Sequence, residues 1–482
     1  MSRKTSDSDA IRFPAVAGMF YPNDPTELAQ MIDGYLAQAQ PSQWQPSILI
    51  APHAGYVYSG PVAAHTFKSL QGRACDGVIV LGFNHSYSYA FDGASIWTEG
   101  AWRTPLGDVP IDSALARSIC DADDHIQVGL DPHDTEHSIE VMLPFLQRVM
   151  PGQSFVPISI GRPTLDNCRA LADGLTHAIG SKNVVVVAST DLSHYPPYSG
   201  AQEVDRETLA AVLSLDPLAL EAAFESMHEW RVPNLHTRMC GQGPVLTAMM
   251  LAHGLDAGRA ELLRYANSGD VPNGERDRVV GYAAIGFAHG SPPALTDAEK
   301  TELLHLARGT IVAHLNDWSL PGLQFDSPGL HLPRATFVTL RVKSTGELRG
   351  CRGEIFARSE VWESVRRVSL LSAVDDPRFA PMQPHESNDL HIDISVLTPL
   401  RKASSPDEVI VGQHGVLVRR GHRGGLFLPQ VPVEQGWDRD EYLTNLCAMK
   451  AGLPADAWRR PDTDLYLFEA DVFEEHEGLG HG

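Results

Sequence analysis

No run of apolar residues in this chain is long enough to cross a bilayer. The most apolar stretches, such as Val184–Ala188, fall far short of the roughly 18 residues a spanning helix needs, so no membrane association is expected. The N-terminus, MSRKTSDSDAIRFP, has a basic pair but no hydrophobic segment behind it, and so does not read as a signal peptide. The six cysteines, at 75, 120, 168, 240, 351 and 447, include no C-x-x-C pair. That argues against a disulfide scaffold and against a zinc ribbon, and a reducing cytoplasm is the expected location. Positive charge is also scarce. The 38 Lys and Arg stand against 60 Asp and Glu, a formal charge of −22. Such a field repels phosphate backbones, so nucleic acid is not an expected partner.

What is present is a globular composition, 43% apolar and 20% charged, over 482 residues, too many for one ordinary core. Gly290-Ser291-Pro292-Pro293 breaks the pattern, and Thr296-x-x-Glu299 then reads as a capping box that opens a helix. Leu304, Ala307, Ile311 and Leu315 follow at helical spacing. The split expected from these signals gives domains at 10–290 and 296–476. Before it, Ser47–Ala51, Gly77–Gly82, Phe155–Ile160 and Val184–Ala188 are short continuous apolar runs, the habit of strands buried on both faces, and Val279–Phe287 adds a late strand. The first domain is therefore α/β, with a central mixed or parallel sheet flanked by helices. After the split, Phe337–Val342 and Leu390–Val396 alternate apolar and polar positions, and helices are expected at 360–374 and 438–451. The second domain is α+β.

Three buried runs lead directly into polar residues: the first into Pro52-His53, the second into Phe83-Asn84-His85, the third into Ser189-Thr190-Asp191-Leu192-Ser193-His194. Ligands of open α/β sheets bind beyond the carboxyl ends of the strands, so three such ends predict one convergent site. Imidazoles there suit iron, copper or zinc better than magnesium or calcium. Cys240 opens the apolar run Pro244–Ala252, and a thiolate at a helix N-terminus has a lowered pKa and ligates well; a small buried hydrophobe is the other reading. His133-Asp134-Thr135-Glu136-His137 matches H-x-x-E-H, a zinc-peptidase pattern that needs both histidines on one helix. Asp131-Pro132 precedes it and Ser138 reads as the cap of the next helix, so the motif is expected in a loop. His133, Glu136 and His137 are expected to line the same cleft as acid, base or supporting groups. In the second domain Cys351 lies in Leu348-Arg349-Gly350-Cys351-Arg352-Gly353, where arginines would favour a thiolate and glycines a close backbone approach. A packed residue in a tight turn is the alternative.

Residues about 12–289 resemble the MEMO family, also called AmmeMemoRadiSam system protein B, through PAVAGMFYP (14–22), APHAGYVYSGPVAA (51–64), LGFNHS (81–86), EHSIEVMLPFLQ (136–147), STDLSHY (189–195), YANSGDV (265–271) and RDRVVGYAA (276–284). Residues about 297–475 resemble the AMMECR1 family, AmmeMemoRadiSam system protein A, through LRGC (348–351), DDPRF (375–379), ISVLTPL (394–400), LPQVPVEQGW (428–437) and CAMKAGLP (447–454). The first resemblance implies a fold like that of the LigB-type class III extradiol dioxygenases, non-haem iron enzymes that open catechol rings. Carried onto matching positions, it implies metal ligands His53, His85 and Cys240, with Asp191 and His194 nearby. It ranks iron(II) first, copper(I) second and zinc third. Cys240 stands where those dioxygenases use a carboxylate, and a thiolate favours softer or reduced metals. The reading is a metal-dependent oxidoreductase with His137, Asp191 and His194 as acid–base groups and Cys351 as a separate reactive thiol. The system's name implies a radical S-adenosylmethionine protein as partner, and the chain lacks the C-x-x-x-C-x-x-C cluster of such an enzyme. A metal-carrying or scaffold component without turnover, and a hydrolase using metal-activated water, are the alternatives.

Overall fold

The apolar runs of the first half become neighbouring strands of one sheet in the computed structural model, which describes residues 10–86, 91–122, 125–226, 232–319 and 325–475. The strands are β1 (Ile48–Ala51), β2 (Gly77–Phe83), β3 (Ala94–Ile96), β4 (Ile126–Val128), β5 (Val156–Ile160), β6 (Val184–Ser189), β7 (Arg259–Asn267) and β8 (Gly281–Ala288). Their order is β7-β8-β1-β6-β2-β5-β3-β4. The central four, β1, β6, β2 and β5, run parallel. On one side β8 joins β1 and β7 joins β8, both antiparallel; on the other, β3 is antiparallel to β5 and parallel to β4. Every residue of β1, β2, β5 and β6 is buried, as expected of strands covered on both faces. Ala51 pairs with Ser189, and Leu81 with Ala188, so the carboxyl ends of β1, β6 and β2 lie side by side.

Helices cover both faces. On one, α1 (Pro25–Gln38), α2 (Tyr56–Lys68) and α3 (Leu143–Val149) set Leu28, Ile32, Phe67 and Phe145 against Leu49, Val80, Val185 and Val187. On the other, α4 (Leu165–Ile179) packs against α5 (Gln242–Gly254). Residues Gly243–Ala252 of α5 are all buried, the pattern of a helix enclosed on every side. A small sheet of Ile11–Arg12, Ala101–Thr104 and Gly107–Pro110 brings Arg12 inside, where its guanidinium meets Glu140 at 2.7 Å. The Glu140 carboxylate also accepts from the Ala15 and Val16 amides and the Tyr21 hydroxyl, which ties the N-terminal segment to the 133–140 loop.

The chain divides into two units at Pro293/Ala294. In the second, Thr296 and Glu299 form the capping box of α6 (Asp297–Leu315). The strands are β9 (Thr336–Val342), β10 (Leu348–Gly353), β11 (Leu390–Leu397), β12 (Arg401–Lys402), β13 (Gly415–Arg420), β14 (Arg423–Phe427), β15 (Asp464–Phe468) and β16 (Ala470–Glu474). They form two antiparallel sheets, β10-β9-β11-β16 and β12-β15-β13-β14. In β9 the buried Thr336, Val338 and Leu340 alternate with half-buried neighbours, and this face packs against α6 and α7 (Val361–Val374). The architecture is α+β. The helix expected over 438–451 is an α-helix, Arg439–Asn445, that continues as a π turn over Leu446–Lys450. No helix among the described residues is long and apolar enough to cross a membrane.

Candidate metal centre

Two residues beyond the end of β1 the chain places His53, and two beyond β2 it places His85. Asp191 and His194 follow β6, and Cys240 precedes Gly241, the N-cap of α5. One ligating atom from each of His53, His85 and Cys240 lies within 4.8 Å of the other two, and Cys240 Sγ is 3.3 Å from His53 Nε2. Tetrahedral bonds of 2.0–2.3 Å put ligand atoms roughly 3.3–3.8 Å apart, a spacing that the Cys240–His53 pair has. His53 is buried, Cys240 half-buried and His85 exposed, which leaves the cluster open on the His85 side.

Hydrogen bonds fix the tautomers of both imidazoles. The Ser189 hydroxyl donates its only proton to the Ser138 carbonyl at 2.6 Å, so toward His53 Nδ1, 2.7 Å away, it must accept. His53 therefore carries its proton on Nδ1, and its Nε2 lone pair faces Cys240. His85 Nδ1 sits 3.0 Å from Glu136, the carboxylate–imidazole pairing that orients a ligating histidine. Glu136 also collects the backbone amides of His85, His137 and Ser138. Burial alone would raise its pKa, yet the His85 side chain, the neighbouring His137 and the His85 amide bring it down to about 2, so it remains an anion. Ser189 opens the STDLSHY segment, but nothing in the sequence tells which imidazole its hydroxyl meets.

His137, Asp191 and His194 surround this cluster. The rings of His137 and His85 stack at 4.4 Å and 13°. Asp191 and His194 each offer an atom within 4.8 Å of Cys240 Sγ. Desolvation lowers the His137 pKa to about 4 and lowers that of His194 as well, so both rings are neutral near pH 7. His194 Nδ1 meets the Leu192 carbonyl at 2.8 Å, which leaves its Nε2 as an acceptor. Burial pushes the Asp191 carboxyl up to about 7, although it accepts the His53 and Ala54 amides.

Three expectations need correction. Without a metal, burial raises the Cys240 thiol well above its ordinary value instead of the helix terminus lowering it, because desolvation outweighs the partial charge there. His133 does not line the cleft. It is buried beside Trp97 and Trp102, with Nε2 on the Ser95 carbonyl, although the H-x-x-E-H segment is a loop as expected. Ser138 caps no helix, since its hydroxyl donates to the Phe83 carbonyl across at β2.

Beyond His194 the chain bends through Tyr195 at φ +70°, a left-handed conformation that costs a non-glycine residue about 1–2 kcal/mol. Its ring lies edge-on to His194 and to His236, at 5.6 and 5.0 Å, and the Arg278 guanidinium sits 4.7 Å above it. An exposed cation–π contact returns about 0.5–1 kcal/mol, too little to explain the strain.

Cys351 lies in β10, far along the chain from these residues, and accepts from Thr339 Oγ1 at 3.4 Å. The two arginines expected to activate it are engaged elsewhere, Arg349 with Glu386 and Arg352 with Asp375; Arg378, paired with Asp376, is the one that reaches it, donating to the Cys351 carbonyl at 3.1 Å. Gly350 and Gly353 give room to the Ser372 carbonyl and the Phe337 ring, so both serve packing.

An open α/β sheet that gathers two imidazoles and a thiol at its strand ends defines a candidate metal-binding protein. Residues 12–286 match the family described as Memo-like protein, and residues 304–473 match AMMECR1. The chain belongs to the Memo-like family and carries an AMMECR1 domain behind that unit. A MEMO1 family protein of Methanopyrus kandleri is 40% identical over 293 residues, which is 58% of this chain and 99% of that protein. One from Sulfolobus acidocaldarius is 38% identical over 295 residues, again 58% and 99%. Among solved structures, an uncharacterized protein of Pyrococcus horikoshii is 38% identical, with 38% of this chain and 94% of that chain covered and a TM-score of 0.36.

Proposed function

We propose that the Memo-like unit holds a metal ion through His53 Nε2, His85 Nε2 and Cys240 Sγ, and works as an oxidoreductase on a small molecule. The observation that carries this reading is the convergence of one ligating atom from each of the three residues within 4.8 Å, with Nδ1 of each imidazole tied to Ser189 or Glu136. The resemblance to non-haem iron enzymes ranks iron(II) first, then copper(I), then zinc, while the Cys240 thiolate itself favours softer or reduced metals. A redox-active ion bound there supplies Lewis acidity and electron exchange between substrate and O₂. The protein's own part is to orient and to move protons. Neutral His194, with Nδ1–H held by the Leu192 carbonyl, presents Nε2 to take a proton from a substrate hydroxyl. Neutral His137, stacked on His85, is a second acceptor on the open side. Asp191 fixes the His53 backbone and, with its carboxyl near 7, can hold or release a proton at neutral pH. The test is iron and copper content beside O₂ uptake over a panel of catechols. His53→Ala and Cys240→Ser are expected to lose both metal and uptake. Variants that retain wild-type metal would refute the assignment.

The covalent joining of a Memo-like unit to an AMMECR1 domain supports a second reading, a metal-carrying or scaffold component that works with a radical S-adenosylmethionine protein. Co-purification with such a partner, together with an inert catechol panel, would favour it over the first.

A further inference from the structure

The wall beside His194 has a construction that metal binding does not use. Arg278 is exposed and makes no ion pair within the described residues, yet its guanidinium is held 4.7 Å over the Tyr195 ring. Tyr195 is only partly covered, and its ring edges meet His194 and His236. The backbone beneath is pinned by two neighbouring segments, 236–237 and Val279. The His194 amide donates to Thr237, the His236 amide to His194, the Tyr195 amide to Val279 and the Val279 amide to Pro196. Such pinning is what holds a tyrosine at φ +70°, a strain that its contact with Arg278 does not repay. His194 in turn reaches within 4.8 Å of Cys240 Sγ. The cation, the aromatic ring and the neutral imidazole thus form one rigid arm that starts at the metal cluster and ends in a guanidinium.

We propose that this arm is the substrate-selecting side of the cleft, with Arg278 the specificity residue that receives an anionic group, a carboxylate or a phosphate, on a molecule whose reacting end lies by His53, His85 and Cys240. A planar guanidinium already held over a ring offers paired N–H donors to such an oxyanion with little further ordering. Its placement against Tyr195 lets an aromatic or other flat substrate lie along the arm. The proposal rests on the metal-centre reading for where the reacting end sits, while the anion-binding part stands on Arg278 and Tyr195 alone.

The experiment is a comparison of benzoate with its neutral isostere benzamide, titrated by ligand-observed NMR against the full chain, with and without added iron(II). Benzoate is expected to bind about tenfold or more tightly than benzamide, the range of a charge-assisted hydrogen bond. Arg278→Met should erase that ratio, and Arg278→Lys should restore part of it. Equal binding of the two probes, binding of neither, or a preference that survives in Arg278→Met overturns the proposal. Failure of the metal-centre reading shows separately, as absence of bound iron in the wild type, and leaves the ratio measured on metal-free protein to decide the role of Arg278.

Discussion

Replacing Ser189 by alanine removes one oxygen from the buried face of the site. That hydroxyl accepts the His53 Nδ1 proton at 2.7 Å and donates to the Ser138 carbonyl at 2.6 Å. Without it, His53 is free to change tautomer and to turn its Nε2 away from Cys240. Loss of a hydrogen bond behind a metal ligand typically lowers metal affinity about 10- to 100-fold, or about 1.4–2.8 kcal/mol. The variant also strands a buried N–H and a buried carbonyl at a cost of about 1–3 kcal/mol each, so an overall destabilisation of about 2–6 kcal/mol is expected. Competition against a chelator of known affinity reads the first quantity, and urea unfolding of the metal-free protein reads the second. A variant that binds iron within twofold of wild type would refute the tautomer argument, whatever its stability.

Three further outcomes follow from the packing. Arg12→Met leaves the buried Glu140 carboxylate without its cation and should cost about 3–5 kcal/mol in urea unfolding; a loss below 1 kcal/mol would contradict the ion pair. Burial raises the Asp205 carboxyl from 3.8 to about 6 in the folded chain, while the Ser193 amide and the Tyr265 hydroxyl hold it in place. The folded state therefore binds that proton more tightly than the unfolded one, and its contribution, full below about pH 4, is lost as pH rises through about 6. The rise from 3.8 to about 6 corresponds to about 3 kcal/mol. Between pH 4 and pH 7, wild type should lose about that much relative to Asp205→Asn, and parallel pH profiles would count against it. Cys351→Ser should change stability by under about 1 kcal/mol and leave metal content untouched, because a serine hydroxyl can still meet Thr339 and the neighbouring Arg378. A fall in bound metal in that variant would tie Cys351 to the centre.

The strands of the first sheet that could be read from sequence are those buried on both faces, since Ile48–Ala51 and the Val184–Ala188 part of Val184–Ser189 are apolar at every position. Two others, Ala94–Ile96 and Ile126–Val128, have three residues each, too few for a pattern. Arg259–Asn267 misleads for another reason. Ala, Glu, Leu and Arg favour helix, and only pairing with Gly281–Ala288 makes this half-exposed segment a strand. His53, His85 and Asp191 were legible as polar residues at strand ends. What those residues touch was not. Ser138 looks like a helix cap until β2, 55 residues earlier, turns out to receive its hydroxyl. Glu136 looks like a peptidase glutamate, yet it serves as the carboxylate behind His85. Tyr195 and Arg278 lie in two separate motifs, and their pairing arises only where residues 194–196 and 278–280 run together.

The central claim is a metal held by two imidazoles and the Cys240 sulfur. X-ray absorption at the iron edge of anaerobically loaded protein addresses it most directly. The expected spectrum contains one sulfur at about 2.3 Å and nitrogen scatterers at about 2.0–2.1 Å, and Cys240→Ser should lose the sulfur component. A spectrum with no sulfur, or one that Cys240→Ser leaves unchanged, would contradict the account.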